Sequence, residues 1–215
     1  MTYLELVNKV LIRLREDTVA TVSQTPYSAL IGEFVNDAKQ LVEDAWDWSA
    51  LRTTLTVTTT PGVFNYNLTG SDNRVKMLDV INDTSNFFLQ YRDAHWFNKI
   101  FLTTDTPNGS PYYYTFNGVD ANNDTAVDLY PKPDGVYDLR FNCVLRTPEL
   151  SADTDQVNIP NLPIIHYAVA SATSERGEAG TRSAPELFAV ASQVLSDAIA
   201  LDAIKHPEET IYVTV

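Results

Sequence analysis

The chain has 215 residues, 44% of them hydrophobic, and its 28 acidic and 15 basic side chains give a formal net charge of −13. This composition is sufficient to bury a core and excludes global disorder, while the acidic balance disfavours a broad basic surface for gripping phosphates. The single cysteine, Cys143, excludes an internal disulfide and a cysteine-based zinc site.

The first element is predicted to be a helix. Its apolar side chains recur at three- and four-residue intervals and form one stripe: Tyr3, Leu6, Val7, Val10, Leu11 and Leu14. Thr2 is the expected N-cap, and Glu5 three residues later completes a capping box. The polar run 15–24 then ends the pattern.

A second helix is predicted to begin near Pro26, with Thr25 as its cap. Its apolar stripe consists of Leu30, Ile31, Phe34, Val35, Ala38, Leu41, Val42 and Ala45. The opposite face is polar and suits solvent or a polar interface; it carries Glu33, Asp37, Gln40 and Asp44. The helix ends in Trp46-Asp47-Trp48.

The hydrophobic period then changes from 3.6 to 2, which indicates strands. Segments 53–59 and 63–68 alternate on either side of Pro61-Gly62, the central pair of a type II turn, and are predicted to form a hairpin. Further strands are expected at 75–81, 87–91, 112–117, 126–130 and 136–146, with a short helix at 93–101. Cys143 lies on the apolar side of the last of these strands, where we expect an inert core thiol.

Helical character returns after the polar stretch 151–156. Segment 162–178 is rich in small residues that permit close helix approach: Ala168, Ala170, Ser171 and Ala172. A last helix is predicted to begin at Ser183 and Pro185, and its stripe is Leu187, Phe188, Ala191, Val194, Leu195, Ala198 and Ile199. Pro207 ends this helix.

None of the four long helices can bury its stripe alone, and the simplest solution packs them together. We therefore predict an α+β fold in which the N- and C-terminal helix pairs, residues 1–48 and 149–206, form a discontinuous four-helix bundle. Residues 49–148 form an inserted antiparallel β-rich domain, and residues 207–215 form an extended C-terminal tail.

Candidate catalytic and metal-binding groups lack the partners that their chemistry needs. His95, His166 and His206 have no companion at metal-ligand spacing, so no metal site is expected. Asp120-Ala121-Asn122-Asn123-Asp124 resembles the start of a calcium loop, but Thr125 replaces the expected glycine and Pro131 occupies the closing glutamate position. A polar hairpin loop is the favoured interpretation.

Two further patterns point to hydrolases. Glu43, Asp44 and Asp47 beside the tryptophans suggest a sugar-cleaving pair, but adjacent helix positions point in different directions. Ser71-Asp72-Asn73 matches one element of penicillin-recognising enzymes, whose other elements the chain lacks. We therefore predict a protein that is not an enzyme and has no cofactor.

The C-terminal tail suggests a docking role. Segment 208–215 contains four apolar residues that favour strands, Ile211, Tyr212, Val213 and Val215. A chain end of this type can add a strand to a neighbour's sheet edge. The alternatives are that the tail folds onto its own subunit or has no fixed structure.

No membrane partner is expected from the sequence. No stretch approaches the ~20 uninterrupted apolar residues of a membrane helix, and the first residues lack the basic region of a signal peptide. Synthesis in a cytoplasm is the resulting expectation.

The chain has a characteristic order of elements. An amphipathic helix pair ends in Glu43-Asp44-Ala45-Trp46-Asp47-Trp48, a threonine-rich segment 53–66 follows, and an alanine-rich helix pair closes this arrangement. It resembles the head-to-tail adaptor of short-tailed bacteriophages, also called tail tubular protein A. Residues 34–66 carry its most specific part. The resemblance has no catalytic residues to transfer.

The resemblance implies a structural virion protein in the neck region, made in the bacterial host cytoplasm. It implies a homo-oligomeric ring of twelve subunits between the portal protein and the tail nozzle or tube protein, with DNA passing through the channel without specific binding. An acidic surface would repel DNA phosphates and suit such a channel. The alternatives are another tail ring component, such as a terminator or connector, and a carbohydrate-binding β module.

Overall fold

The computed structural model describes residues 1–103, 107–177 and 184–205, a part of the chain that contains five α-helices and two four-stranded sheets. The helices are α1 (Tyr3–Arg13), α2 (Pro26–Ala45), α3 (Ala94–Thr103), α4 (Asn161–Arg176) and α5 (Ala184–Ala203). The strands are β1 (Arg52–Thr58), β2 (Asn65–Asn67), β3 (Val75–Asn82), β4 (Phe87–Phe88), β5 (Gln90–Tyr91), β6 (Tyr113–Val119), β7 (Thr125–Tyr130) and β8 (Asp138–Leu145). The mixed α+β class is as predicted.

The chain divides into two compact units. The helical unit comprises Met1–Leu51 and Thr147–Val215, and the β unit comprises Arg52–Arg146. In the helical unit α1, α2 and α4 contact one another, and α5 contacts α4. The core between these helices is built from aliphatic side chains, including Leu6, Val10, Ile31, Val35, Ile164, Ala168, Ala191 and Leu195.

Local hydrogen bonds explain where the first two helices begin. The Thr2 hydroxyl accepts a hydrogen bond from the Glu5 N–H at 3.2 Å, and the Glu5 carboxylate accepts one from the Thr2 N–H at 2.9 Å. Thr25 caps α2 by accepting a bond from the Ser28 N–H at 3.0 Å. Each cap satisfies backbone donors that the helix itself leaves open, so both predicted caps are confirmed.

The segment that follows the β unit in sequence holds the start of α1. The Tyr3 N–H donates to the Asp155 carbonyl at 2.8 Å, and the Val157 N–H donates to the Met1 carbonyl at 3.0 Å. The Asn36 side chain of α2 makes two bonds to the backbone of Leu150, at 3.0 and 3.1 Å. The two distant parts of the sequence are therefore joined by backbone hydrogen bonds as well as by helix packing.

In the β unit, two sheets pack face to face. One sheet has the order β1-β8-β3-β4 and the other the order β2-β7-β6-β5. Side chains from both sheets form one buried cluster, which consists of Leu68, Val80, Leu89, Tyr114, Val127, Leu129, Leu139 and Phe141. Alternation along β8 places Leu139, Phe141 and Cys143 in the interior, as the sequence predicts.

The predicted hairpin of segments 53–59 and 63–68 is wrong. The Pro61-Gly62 turn does form, because the Val63 N–H donates to the Thr60 carbonyl at 3.1 Å and Gly62 has a φ of 81°. However, β1 pairs with β8, and β2 pairs with β7 of the other sheet. Both segments have one apolar face, so each is equally suited to a sheet of the sandwich, and the turn takes the chain across from one sheet to the other.

The single strand predicted at 87–91 is likewise divided between the sheets. β4 pairs with β3, whereas β5 pairs with β6 after the chain crosses over at the buried Leu89. The β5–β6 pairing is parallel, which corrects the expectation of a wholly antiparallel unit. Helix α3 lies between β5 and β6 in the sequence, and a helical connection of this kind is what parallel neighbours require.

Candidate assembly surfaces

Helix α5 has apolar side chains on two faces. One face packs against α4 and buries Ala191 and Leu195. A second line of residues recurs at alternating intervals of four and three and consists of Val190, Val194, Asp197, Leu201 and Ile204. Leu201 is 69% exposed and Ile204 is 76% exposed, so this line, the outer stripe of α5, points largely to solvent. Alternating intervals of four and three residues are typical of a helix face that packs along another helix.

The last turn of α5 is fixed to the end of α2 by a buried carboxylate. Asp202 is 4% exposed. It accepts hydrogen bonds from the Trp46 indole N–H at 3.2 Å, from the Ser49 N–H at 2.9 Å and from the Ser49 hydroxyl at 2.6 Å. The Lys205 ammonium donates to the same carboxylate at 3.0 Å. These bonds compensate the charge for its loss of hydration.

The electrostatics of Asp202 follow from this arrangement. Burial alone would raise its pKa, but the bonds from Ser49 and Lys205 outweigh burial and hold the pKa of Asp202 well below its ordinary value. The carboxylate therefore stays ionised at neutral pH. Sequence analysis missed this residue, although Asp202 follows Leu195 and Ala198 at helical spacing on the same buried face.

A buried ion pair lies on α2. The Lys39 ammonium is 3.1 Å from the Glu43 carboxylate, and their side chains are 3% and 1% exposed. Lys39 donates to the carbonyls of Thr147 and Pro148, both at 2.9 Å, and the Thr147 hydroxyl donates to Glu43. The pair thus holds the chain where it re-enters the helical unit.

The outer face of α2 is acidic. Glu33, Asp37 and Asp44 are exposed on it, as the amphipathic pattern predicts. These carboxylates contribute to the net negative charge of the chain, and they disfavour contact with phosphate groups.

The residues considered for metal chemistry are not brought together. His95 is exposed on α3 in the β unit, and His166 is half-buried on α4, where burial and then Arg13 lower its pKa. His206 lies outside the described residues. Within the described ranges, no group of three or more His, Cys, Asp or Glu side chains is placed to hold a metal ion.

The loop that resembles a calcium site is tied by its own hydrogen bonds. One Asp120 carboxylate oxygen accepts bonds from the Asn122 N–H at 2.8 Å and the Asp124 N–H at 2.9 Å. An oxygen of Asp124 accepts from the Gly70 N–H at 2.9 Å. The carboxylates therefore stabilise two adjacent loops, which agrees with the polar-loop interpretation.

The tryptophans beside the acidic residues have structural partners. Trp48 is 1% exposed, and its indole N–H donates to the Val42 carbonyl at 2.7 Å. Trp46 is half-buried and bonded to Asp202. Glu43 is buried while Asp44 is exposed, so the two carboxylates do not face each other. These positions weaken the sugar-binding alternative, which needs exposed tryptophans in a groove.

Cys143 is buried, and burial raises the pKa of its thiol. A thiol in this state is mostly protonated at neutral pH and reacts slowly. The proposed docking residues Ile211, Tyr212, Val213 and Val215 lie outside the described residues, and their role stays a prediction.

Helix α5 is also long and apolar enough, by length and composition alone, to cross a membrane. Only 11% of its most apolar window is buried inside the protein. The helix nevertheless contains Glu186, Asp197 and Asp202, and the last of these is bonded to the end of α2. We therefore interpret its apolar surface as a protein-packing surface.

A family model described as SU10 adaptor protein matches residues 1–204, which is nearly the whole chain. The chain belongs to the SU10 adaptor protein family. This family is one of phage head-to-tail adaptors, so the resemblance found in the sequence is confirmed. No curated protein matches the chain.

Family membership establishes the general role. The adaptor is a structural phage protein of the virion neck or tail region, and it interacts there with portal and tail components. The match covers both the helical unit and the β unit, so the insertion is part of the adaptor and not a foreign domain.

Proposed function

We propose that this adaptor forms a homo-oligomeric ring of twelve subunits between the portal protein and the tail nozzle or tube, and that DNA passes through its channel during ejection. The observation that carries the proposal is the family match over residues 1–204. Symmetric closed rings are the usual way in which identical subunits surround an axial channel.

We further propose that residues 1–48 and 149–206 act as a four-helix bundle and form the body of the ring. The apolar outer stripe of α5 supports this, because an exposed stripe of this spacing needs a partner. In this proposal the insertion 49–148 contacts neighbouring proteins. The acidic face of α2 and the net charge of −13 would suit a channel that does not hold DNA.

The ring is tested by electron microscopy and mass measurement of the purified protein, alone and mixed with the portal of the same phage. We expect rings, either free or seated on the portal, with twelve copies each. A protein that stays monomeric in both samples would contradict the proposal, and a different copy number would correct the stoichiometry alone.

The tail has a separate test. We propose that Ile211, Tyr212, Val213 and Val215 dock on a neighbouring protein by adding a strand. Removal of residues 208–215 is expected to weaken portal binding by at least about tenfold, since a short strand contributes several backbone hydrogen bonds. In the matched control the same four residues are replaced by serine, so that the length of the tail stays the same while its apolar side chains are lost. Unchanged binding after removal would refute the docking role.

A further inference from the structure

We infer that the outer stripe of α5 packs against the outer face of α1 of a second copy of this chain. The inference deepens the proposed ring and rests on it, since it names the two surfaces that join adjacent subunits. The outer stripe of α5 is Val190, Val194, Asp197, Leu201 and Ile204, and the outer face of α1 is Glu5, Lys9, Ile12 and Arg13.

The shape of the outer stripe calls for a helix as the partner. Its intervals of four and three residues place its side chains along one side of α5, in the pattern of a helix–helix seam. The Ile204 N–H donates to the Ala200 carbonyl at 3.3 Å, so the helical line continues to the end of the stripe. A flat or irregular partner would leave part of this line unfilled.

Charge selects α1 over α2 as the partner helix. The stripe carries the exposed carboxylate of Asp197, which accepts a bond from the Gln193 amide at 2.9 Å. The outer face of α2 is acidic and would repel it. On the outer face of α1 the two exposed cations, Lys9 and Arg13, outnumber the carboxylate of Glu5, which accepts a hydrogen bond from the Thr2 N–H. In a chain with a net charge of −13, such a basic face matters for bringing two copies together.

Apolar complementarity adds to the charge. Ile12 is 59% exposed and lies between the two cations along α1. The aliphatic stems of Lys9 and Arg13 extend this apolar surface while their charged ends stay at the rim. Leu201 and Ile204 of one copy would therefore find both apolar area and opposite charge on α1 of the next copy.

The two surfaces differ, which determines the type of assembly. When two different surfaces join, every growing assembly still has one free α5 stripe at one end and one free α1 face at the other. More subunits can add until the rotation between neighbouring subunits closes a ring. A contact of α5 with α5 would instead saturate at a dimer. The membrane alternative is disfavoured by Asp197 within the stripe and by the acidic charge of the chain.

Engineered cysteines test the contact directly, because the single native cysteine is buried. Full-length Ile12→Cys and Leu201→Cys chains, with tags of different mass, are mixed and oxidised gently. We expect the mixed disulfide to exceed both like disulfides and a control pair, Val119→Cys with Val136→Cys, by about tenfold. The control positions are similarly exposed, at 51% and 62%, and lie in the β unit.

Charge reversal provides the second arm of the experiment. Asp197→Lys on the Leu201→Cys chain is expected to lower the mixed disulfide by about tenfold, because the new cation would face the cations of Lys9 and Arg13. Lys9→Glu on the Ile12→Cys chain should restore it. Asp37→Lys is the matched control, since it makes the same charge change on the outer face of α2 and should leave the yield unchanged.

Several results would overturn the inference. A dominant Leu201→Cys homodimer would assign the stripe to α5–α5 pairing, and a yield no higher than the control pair would exclude the contact. Flotation of the wild-type chain with phosphatidylcholine vesicles, lost in Leu201→Asp, would assign the stripe to a membrane. Rings seen by microscopy without the mixed disulfide would reject this contact and leave the proposed function standing.

Discussion

Asp202 shows how one side chain connects two distant parts of the helical unit. Its carboxylate accepts bonds from Trp46 and Ser49, which follow α2, and from Lys205 beside it. A buried charge with several donors is costly to disturb, because removal of the charge leaves those donors without an acceptor. The position of the last turn of α5 therefore depends on this carboxylate.

The first prediction concerns this carboxylate and pH. Hydrogen bonds hold the folded-state pKa of Asp202 below its unfolded value, so its stabilisation is complete above the unfolded value of about 3.9 and is lost as pH falls below it. Asp202→Ala is expected to lower the free energy of unfolding at neutral pH by about 2–4 kcal/mol. Asp202→Asn should cost less and should remove part of the acid sensitivity.

The measurement is urea unfolding of each variant at pH 7 and near pH 3. Asp37→Asn is the matched control, because Asp37 is exposed on α2 outside the proposed subunit contact, and a change there is expected to be within about 0.5 kcal/mol. An Asp202→Asn variant that loses as much stability in acid as the wild-type protein would contradict the assignment.

At the scale of elements, the sequence predicts features that depend on nearby residues, such as helix starts. It does not predict which distant strands pair with each other. Capping residues and apolar periodicity gave the starts of α1 and α2, because both signals lie within a few residues of the helix ends. The partner of β1 is β8, more than 80 residues away in sequence, as in the pairing of Thr54 with Asn142. Alternation defines the face of a strand but not its neighbour, so the hairpin prediction failed.

The second prediction concerns Gly32, where α2 lies close to Tyr3 of α1. A Cβ on Gly32 would overlap the Tyr3 hydroxyl and lie 2.9 Å from a methyl carbon of Val22. Alanine normally stabilises a helix interior by roughly 0.5–1 kcal/mol relative to glycine. Here we expect Gly32→Ala to lower the free energy of unfolding by about 1–2 kcal/mol, because overpacking outweighs that gain.

The double variant Tyr3→Phe, Gly32→Ala separates the two effects. Removal of the hydroxyl should recover part of the loss, so the two substitutions should be less than additive in a thermal unfolding series. Additive losses would show that the Tyr3 hydroxyl is not the group that limits the space at Gly32.

For the whole molecule, the two units have separate cores. The buried cluster between the two sheets draws its members from Leu68 to Phe141, all inside the β unit. The ends of the insertion lie side by side, because Arg52 at the start of β1 pairs with Val144 near the end of β8. An insertion with its own core and adjacent ends has what a separately folding domain needs.

The last prediction is that residues 52–146 fold alone. We expect this fragment to show a β-type circular dichroism spectrum and cooperative thermal unfolding, with Trp96 as its single tryptophan reporter. The reciprocal variant joins Leu51 to Thr147 by a short Gly-Ser linker and should keep its helical signal and the protected indoles of Trp46 and Trp48. A fragment that unfolds without cooperativity while the reciprocal variant stays helical would mean that the sheets depend on the helical unit. That result would make the insertion a structural extension of the helical unit and not an independent domain.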